Sequence, residues 1–209
     1  MSTSRKTSRM HKESPDGNEL LVLELQNIHS AESQLARTLP RLSKAADSPK
    51  LRDCLDRRLS QGERLLKEID SALDAMDESP GRRKNVAAEG LINDAREHVQ
   101  EIERGAALDA VLIGALQKTE HYCIASWGTA RSFGSSAQEK DIVRCMERAL
   151  QEGRELDGAL TKLAEETIHP RLFAGEAAQS GPEADSGEHA RASAAGRTAD
   201  ARREGRVGH

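Results

Sequence analysis

Residues 117–134 read QKTEHYCIASWGTARSFG and follow the apolar run ALDAVLIGAL at 107–116. At helical spacing, Ile113, Leu116, Glu120, Cys123, Trp127 and Ala130 fall on one stripe. Recurrence at i, i+3, i+4 and i+7 marks the face that an amphipathic helix buries. One member of this stripe is a glutamate, and an unpaired buried carboxylate is costly. The stretch therefore predicts a long helix with a carboxylate in its core face, and asks what that carboxylate meets.

The same period extends in both directions. Over 18–45, Leu21, Leu25, Ile28, Glu32, Leu35, Leu39 and Leu42 alternate by four and three, again with one acidic member. Pro40 predicts a kink or an early break in the last turn of that helix. Ser48-Pro49 starts a second helix over 50–77, with proline where its missing N–H costs nothing. Its stripe is Leu55, Leu59, Gly62, Leu66, Ile69, Leu73 and Met76, and the loop DESPGRRK ends it. A shorter helix over 86–102 turns Ala88, Ile92, Ala95, Val99 and Ile102 inward. The helix of the opening stretch covers 106–132 and ends in a Phe-Gly-Ser-Ser turn. A last helix over 138–167 carries Ile142, Met146, Ala149, Gly153, Leu156, Leu160 and Leu163, and His169-Pro170 stops it.

Four helices of roughly 27–30 residues, each ~40 Å long, make an all-α four-helix bundle. Short links make the first and last pairs antiparallel hairpins, while the link between the pairs is long and contains the short extra helix. One long crossover between two hairpins is the ferritin-like arrangement.

Composition agrees. Of 209 residues, 36% are hydrophobic, 32% charged and 2% aromatic. Leucine and alanine suffice for a helical core, whereas a β-sandwich needs more aromatic and β-branched side chains. A net charge of −4 argues against nucleic acid, which demands a clustered basic face. The run Arg82, Arg83, Lys84 lies in a Pro–Gly loop and reads as a solvated turn. No apolar stretch approaches the ~20 residues of a membrane span. The basic, Ser-rich start lacks the apolar segment of a secretion signal, and Cys54, Cys123 and Cys145 are not in CxxC spacing. A reducing cytoplasm with free thiols is the expectation. Residues 1–16 read as a disordered basic tail, 17–172 as the bundle, and 173–209 as a second disordered tail too poor in large apolar side chains to order itself.

Glu32, Glu120 and Glu152 each lie near the middle of a long helix, and midpoints of packed antiparallel helices share one level. Three carboxylates are thus expected to meet halfway down the bundle, the usual way such bundles hold two metal ions. Without a cation their like charges repel and some must be protonated. His29, three residues before Glu32, and Cys123, three after Glu120, add imidazole and thiolate donors. The bland alternative is a seam glutamate in a salt bridge, with Arg58 or Lys118 as its partner. His121 reads as a second-layer or surface histidine, Tyr122 and Trp127 as packing residues, and Glu89 as a surface or capping residue.

The segments LVLELQNIHSAESQL from Leu21, AEGLI at 88–92, QKTEHYCIASWGTAR at 117–131 and LQEGRELDGAL at 150–160 resemble the YciE/YciF-type ferritin-like proteins, in register from about 19 to 166. The resemblance implies a ferritin-like bundle able to hold two metal ions, a link to bacterial stress, and a homodimer. It matches Glu32 and Glu120 to glutamates of the family's first and third long helices. Glu152 matches the first of an acidic pair, and Asp157 a following acidic position. Departures accompany the matches. Where the family carries His, Glu and Gln on its second helix, this chain has Arg58, Gln61 and Leu65. Cys123 and Gly153 stand at glutamate positions, and His29 and Trp127 at tyrosine positions.

Two functions follow as expectations. One is a stress-associated protein that binds iron, manganese or zinc through Glu32, Glu120, Glu152, His29, Cys123 and Asp157; reaction of iron with O₂ or peroxide there would make it an oxidase or a detoxifying enzyme. The other is a metal-free bundle kept as a structural or interaction module, in which the Arg58 guanidinium replaces the cation beside Glu32 or Glu120. Open space between the carboxylates would favour the first, and Arg58 filling it the second. No hydrolase triad, P-loop or dinucleotide motif is present.

Overall fold

The Asp16 side chain accepts the Glu19 N–H while Glu19 returns to the Asp16 N–H, a capping box that satisfies two otherwise orphaned donors and starts the first helix. In the computed structural model, which describes residues 14–179, six α-helices follow in order and no strand occurs among those residues. They are α1 (Gly17–Ala45), α2 (Pro49–Ala75), α3 (Val86–Glu101), α4 (Ala106–Ser136), α5 (Lys140–Leu163) and α6 (His169–Gln179), with a π-helical turn (Ala164–Ile168) before the last. The chain is an all-α ferritin-like bundle.

α1 packs on α2 and α4 on α5; α1 also faces α4, and α2 faces α5. Cross-helix pairs such as Arg64–Glu152 and Glu68–Arg148 run in opposite chain order, so α2 and α5 are antiparallel. α3 lies across α1 and α4, leaving the α2–α5 face uncovered by it. Asn85 fixes this crossover: its amide donates to the Asn27 carbonyl at 3.1 Å and to Tyr122 Oη at 2.7 Å. Its backbone N–H donates to Ser30 Oγ, and its carbonyl accepts from buried Gln34. Tyr122, expected only to pack, is thus part of a polar clasp.

The opening stripe is core throughout, with Glu120, Trp127 and Ala130 wholly buried. Two expectations about helix ends need correction, and a third is narrowed. α1 ends at Ala45 as expected, so of the two alternatives at Pro40 the early break does not occur; the proline sits exposed near the helix end. α4 does not stop at 132 but runs to Ser136, and the turn falls later, at Gln138 with φ +63°; Gly134 stays in the helix, where Ile142 of α5 comes within 3.2 Å of where a β-carbon would stand. His169-Pro170 does not stop the chain either. The π turn, closed by the His169 N–H on the Ala164 carbonyl, widens the helix just before the residue that has no N–H to give, and α6 continues to Gln179. Buried Ile168 and the Arg171–Asp47 pair at 3.4 Å hold that segment to the bundle. Helical structure therefore passes the expected boundary at 172; the remaining tail residues, 1–13 and 180–209, lie outside the described residues.

The stripe of α2 also differs. Leu59 and Leu66 are half-buried, and the residues facing the centre are Leu55, Arg58, Gln61, Leu65 and Ile69. Arg58 points into the middle of the bundle.

Candidate functional site

Halfway along the bundle, Glu32 on α1, Arg58 on α2 and Glu120 on α4 meet with relative exposures of 1%, 1% and 0%. Arg58 grips Glu32 through two nitrogens, Nη1 to Oε2 and Nη2 to Oε1, both at 2.9 Å. Its Nε donates to Glu120 Oε2 at 2.6 Å, and Nη2 also reaches Cys123 Sγ at 3.5 Å. The guanidinium carbon lies 5.4 Å from the centroid of the Trp127 ring, within cation–π range. Such a planar fork is the side chain best matched to a bidentate carboxylate.

Two glycines make the space. A β-carbon at Gly62 would stand 2.9 Å from Glu32 Oε2 and 3.1 Å from Arg58 Nη1. At Gly153 it would stand 2.7 Å from Trp127 Cζ3 and 2.8 Å from Glu120 Oε1. The helix backbones at these points form walls of the centre.

The electrostatics follow from burial and charge count. Two carboxylates face one guanidinium. Burial opposes the guanidinium's charge, but Glu120 and Glu32 together outweigh it and hold Arg58 well above its ordinary range. Burial pushes Glu120 up; Arg58 pulls it back, and Glu32 and Asp157 push it further. Glu120 Oε1 has no hydrogen-bond partner among the described residues. Burial, reinforced by Glu32, pushes the Cys123 thiol well up, so thiolate chemistry is disfavoured there.

The other candidate donors stand apart. Glu152 does not join the central layer: its carboxylate points to the α2–α5 surface and accepts from Arg64 at 2.9 and 3.0 Å, because Gly153, one residue on, takes the inward position. His29 turns to Asp70 at 3.0 Å on the α1–α2 edge. Asp157 accepts from Gln117 at 3.0 Å and faces His121 at 3.4 Å on the α4–α5 edge. Of the six candidate ligands, Glu32, Glu120 and Cys123 are brought together, around Arg58.

This donor set does not fit the metal ions that the fold implies. Both oxygens of Glu32 and one of Glu120 are bound to the guanidinium. Among the described residues, no group of three or more His, Cys, Asp or Glu side chains is arranged to hold a metal ion. A surface cleft of about 640 Å³ between α2 and α5, lined by Asp56, Arg57, Arg64 and Glu155 among others, reaches down to Arg58.

One buried carboxylate escapes the spacing argument. Asp109, wholly buried in the first turn of α4, accepts the backbone N–H groups of Asp47 and Ser48 at 2.8 Å each and so pins the α1–α2 turn. Its signal was the lone acid between Leu108 and Leu112. No helix among the described residues is long and apolar enough to cross a membrane.

Known proteins resemble the chain over this region. A family described as a domain of unknown function (DUF892) matches residues 16–172. Protein YciF of Escherichia coli (strain K12) is 32% identical over 148 residues, 70% of this chain and 89% of that protein. The crystal structure of the E. coli stress protein YciF superposes with a TM-score of 0.70 at 30% identity, covering 75% of this chain and 99% of that one. YcfI from Rhodopseudomonas palustris, described as a putative structural protein, gives a TM-score of 0.66 at 28% identity, covering 74% and 96%.

Proposed function

Because the chain belongs to the YciF-type family, the domain of unknown function DUF892, we propose that it works as a stress-associated structural or protein-interaction module with no metal resident at its centre. The observation that carries this reading is the Arg58 guanidinium lodged between Glu32 and Glu120. A cation that is covalently part of the protein already engages three of the four carboxylate oxygens that would otherwise recruit one. The stress link comes from the E. coli relative, and the structural role agrees with the description of the R. palustris neighbour. The unpaired state of Cys54, Cys123 and Cys145 agrees with a reducing compartment.

The reading excludes turnover at the centre. Purified protein incubated anaerobically with Fe²⁺ and then exposed to O₂ or H₂O₂ should oxidise iron no faster than buffer does. Saturable iron oxidation that disappears in Glu120→Ala would instead establish a metal-dependent oxidase.

A further inference from the structure

We infer that the centre of the bundle is a receptacle fitted to a planar guanidinium cation, with Gly62 and Gly153 providing its walls; the inference rests on the metal-free reading above. Each polar edge of the guanidinium has its own counterpart. The Nη1–Nη2 edge meets Glu32, the Nε edge meets Glu120, Nη2 touches Cys123 Sγ, and the guanidinium carbon lies 5.4 Å from the Trp127 ring centroid. The contacts come from three different nitrogens spread over a plane, whereas a metal ion draws its ligands to one point at about 2.0–2.6 Å.

The glycines make the fit exclusive. A β-carbon at 62 would crowd both Arg58 Nη1 and the Glu32 oxygen that it binds, at 3.1 and 2.9 Å. A β-carbon at 153 would strike Trp127 and Glu120 at 2.7 and 2.8 Å, and so displace the indole and the second carboxylate together. A lysine ammonium in the same place offers a point charge without the fork. The receptacle therefore selects for shape as well as charge.

Chemical rescue tests this. Arg58→Ala in the full chain removes the guanidinium and leaves both carboxylates. Its Tm should fall by about 10 °C, the scale expected for an uncompensated buried charge. Guanidinium chloride at millimolar, non-denaturing concentration should raise that Tm by roughly 3–6 °C once it exceeds its Kd about tenfold. Sodium chloride at equal ionic strength, Zn²⁺ and Mn²⁺ should not raise it, and wild type should not respond. Recovery with Zn²⁺ or Mn²⁺ but not guanidinium would overturn the inference, as would equal recovery with sodium or none with any cation. Gly62→Ala added to Arg58→Ala should abolish the rescue.

If Arg58→Ala does not fold, Arg58→Lys keeps the charge and decides the question. The inference expects a clearly lower Tm than wild type, and an equal Tm would overturn it. Failure of the metal-free reading is separately visible, as stoichiometric metal in wild type.

Discussion

Arg58 and Glu32 face each other as a two-point pair, Nη1 to Oε2 and Nη2 to Oε1 at 2.9 Å, in the interior of the bundle. A bidentate geometry fixes both side chains, and Glu120 occupies the remaining Nε–H. Breaking such a pair from one side exposes its cost. Replacing all of it need not, since buried ion pairs and well-packed apolar residues are often equivalent in stability.

That asymmetry gives the first prediction. Arg58→Met alone should destabilise the protein by about 3–5 kcal/mol, because two carboxylates lose their only buried cation. Combining it with Glu32→Leu and Glu120→Leu should recover most of the loss. Chemical denaturation of the single and triple variants checks this, and a triple variant no better than the single one would contradict it.

Gly153 and Gly158 lie about 1.4 turns apart on α5 and should respond oppositely to alanine. At Gly158, exposed and with nothing within 4 Å of an added β-carbon, alanine should stabilise by up to about 1 kcal/mol through helix propensity. At Gly153 the same propensity gain is opposed by contacts of 2.7 and 2.8 Å, and a net loss of about 1–3 kcal/mol is expected. Thermal melts of the two single variants make the comparison; stabilisation at 153 would mean that Trp127 and Glu120 have room to spare.

Glu120 predicts a pH dependence of definite sign. Burial raises its folded pKa above the ordinary carboxylate value, against the pull of Arg58. The folded state therefore holds this proton more tightly than the unfolded state does. Stability from this group rises as pH falls through the raised folded value toward the unfolded one, and is lost again as pH rises. Glu120→Gln cannot titrate. As pH falls from neutrality toward the ordinary carboxylate range, wild type should gain Tm relative to Glu120→Gln. Parallel profiles for the two proteins would refute the assignment.

Asp109 should prove structural. Its two 2.8 Å bonds to the Asp47 and Ser48 N–H groups have no substitute in Asp109→Ala, which should cost about 1–3 kcal/mol per donor left buried. Asp109→Asn keeps one acceptor and should lose less. Denaturant melts rank the two, and an equal loss for both would remove the carboxylate from this role.

The fate of the acidic residues shows what spacing reveals and what it withholds. Glu32 and Glu120 were legible because each interrupts an apolar stripe at the helical period, and depth along the helix then brings them level. Glu152 shares that depth but not that face: Ala149, Gly153 and Leu156 form the inward stripe of α5, and Glu152 stands at its edge, about 100° round the helix from Gly153, facing Arg64. Depth alone does not set azimuth. On α2 the same ambiguity ran the other way, since Leu59 and Leu66 offered an apolar stripe next to the true one through Arg58 and Leu65. Arg58 lay off the expected stripe, and the two buried glutamates alone pointed to it as a partner in the core. The inward stripes already included Gly62 and Gly153, but their roles depend on contacts with Glu32, Arg58, Glu120 and Trp127 that local sequence does not show. The fold was easier, because helix periods and link lengths fix the hairpins and the crossover. The continuation past Pro170 was not legible, because it depends on a π turn held by tertiary packing.

The central claim is that a guanidinium stands where the fold would otherwise hold metal, and metal stoichiometry tests it most directly. Purified wild type and Glu120→Ala would be measured by mass spectrometry before and after anaerobic loading with Fe²⁺, Mn²⁺ or Zn²⁺ and desalting. The account predicts far less than one metal per chain, with no difference between the two proteins. One or two metals per wild-type chain, lost in Glu120→Ala, would contradict it.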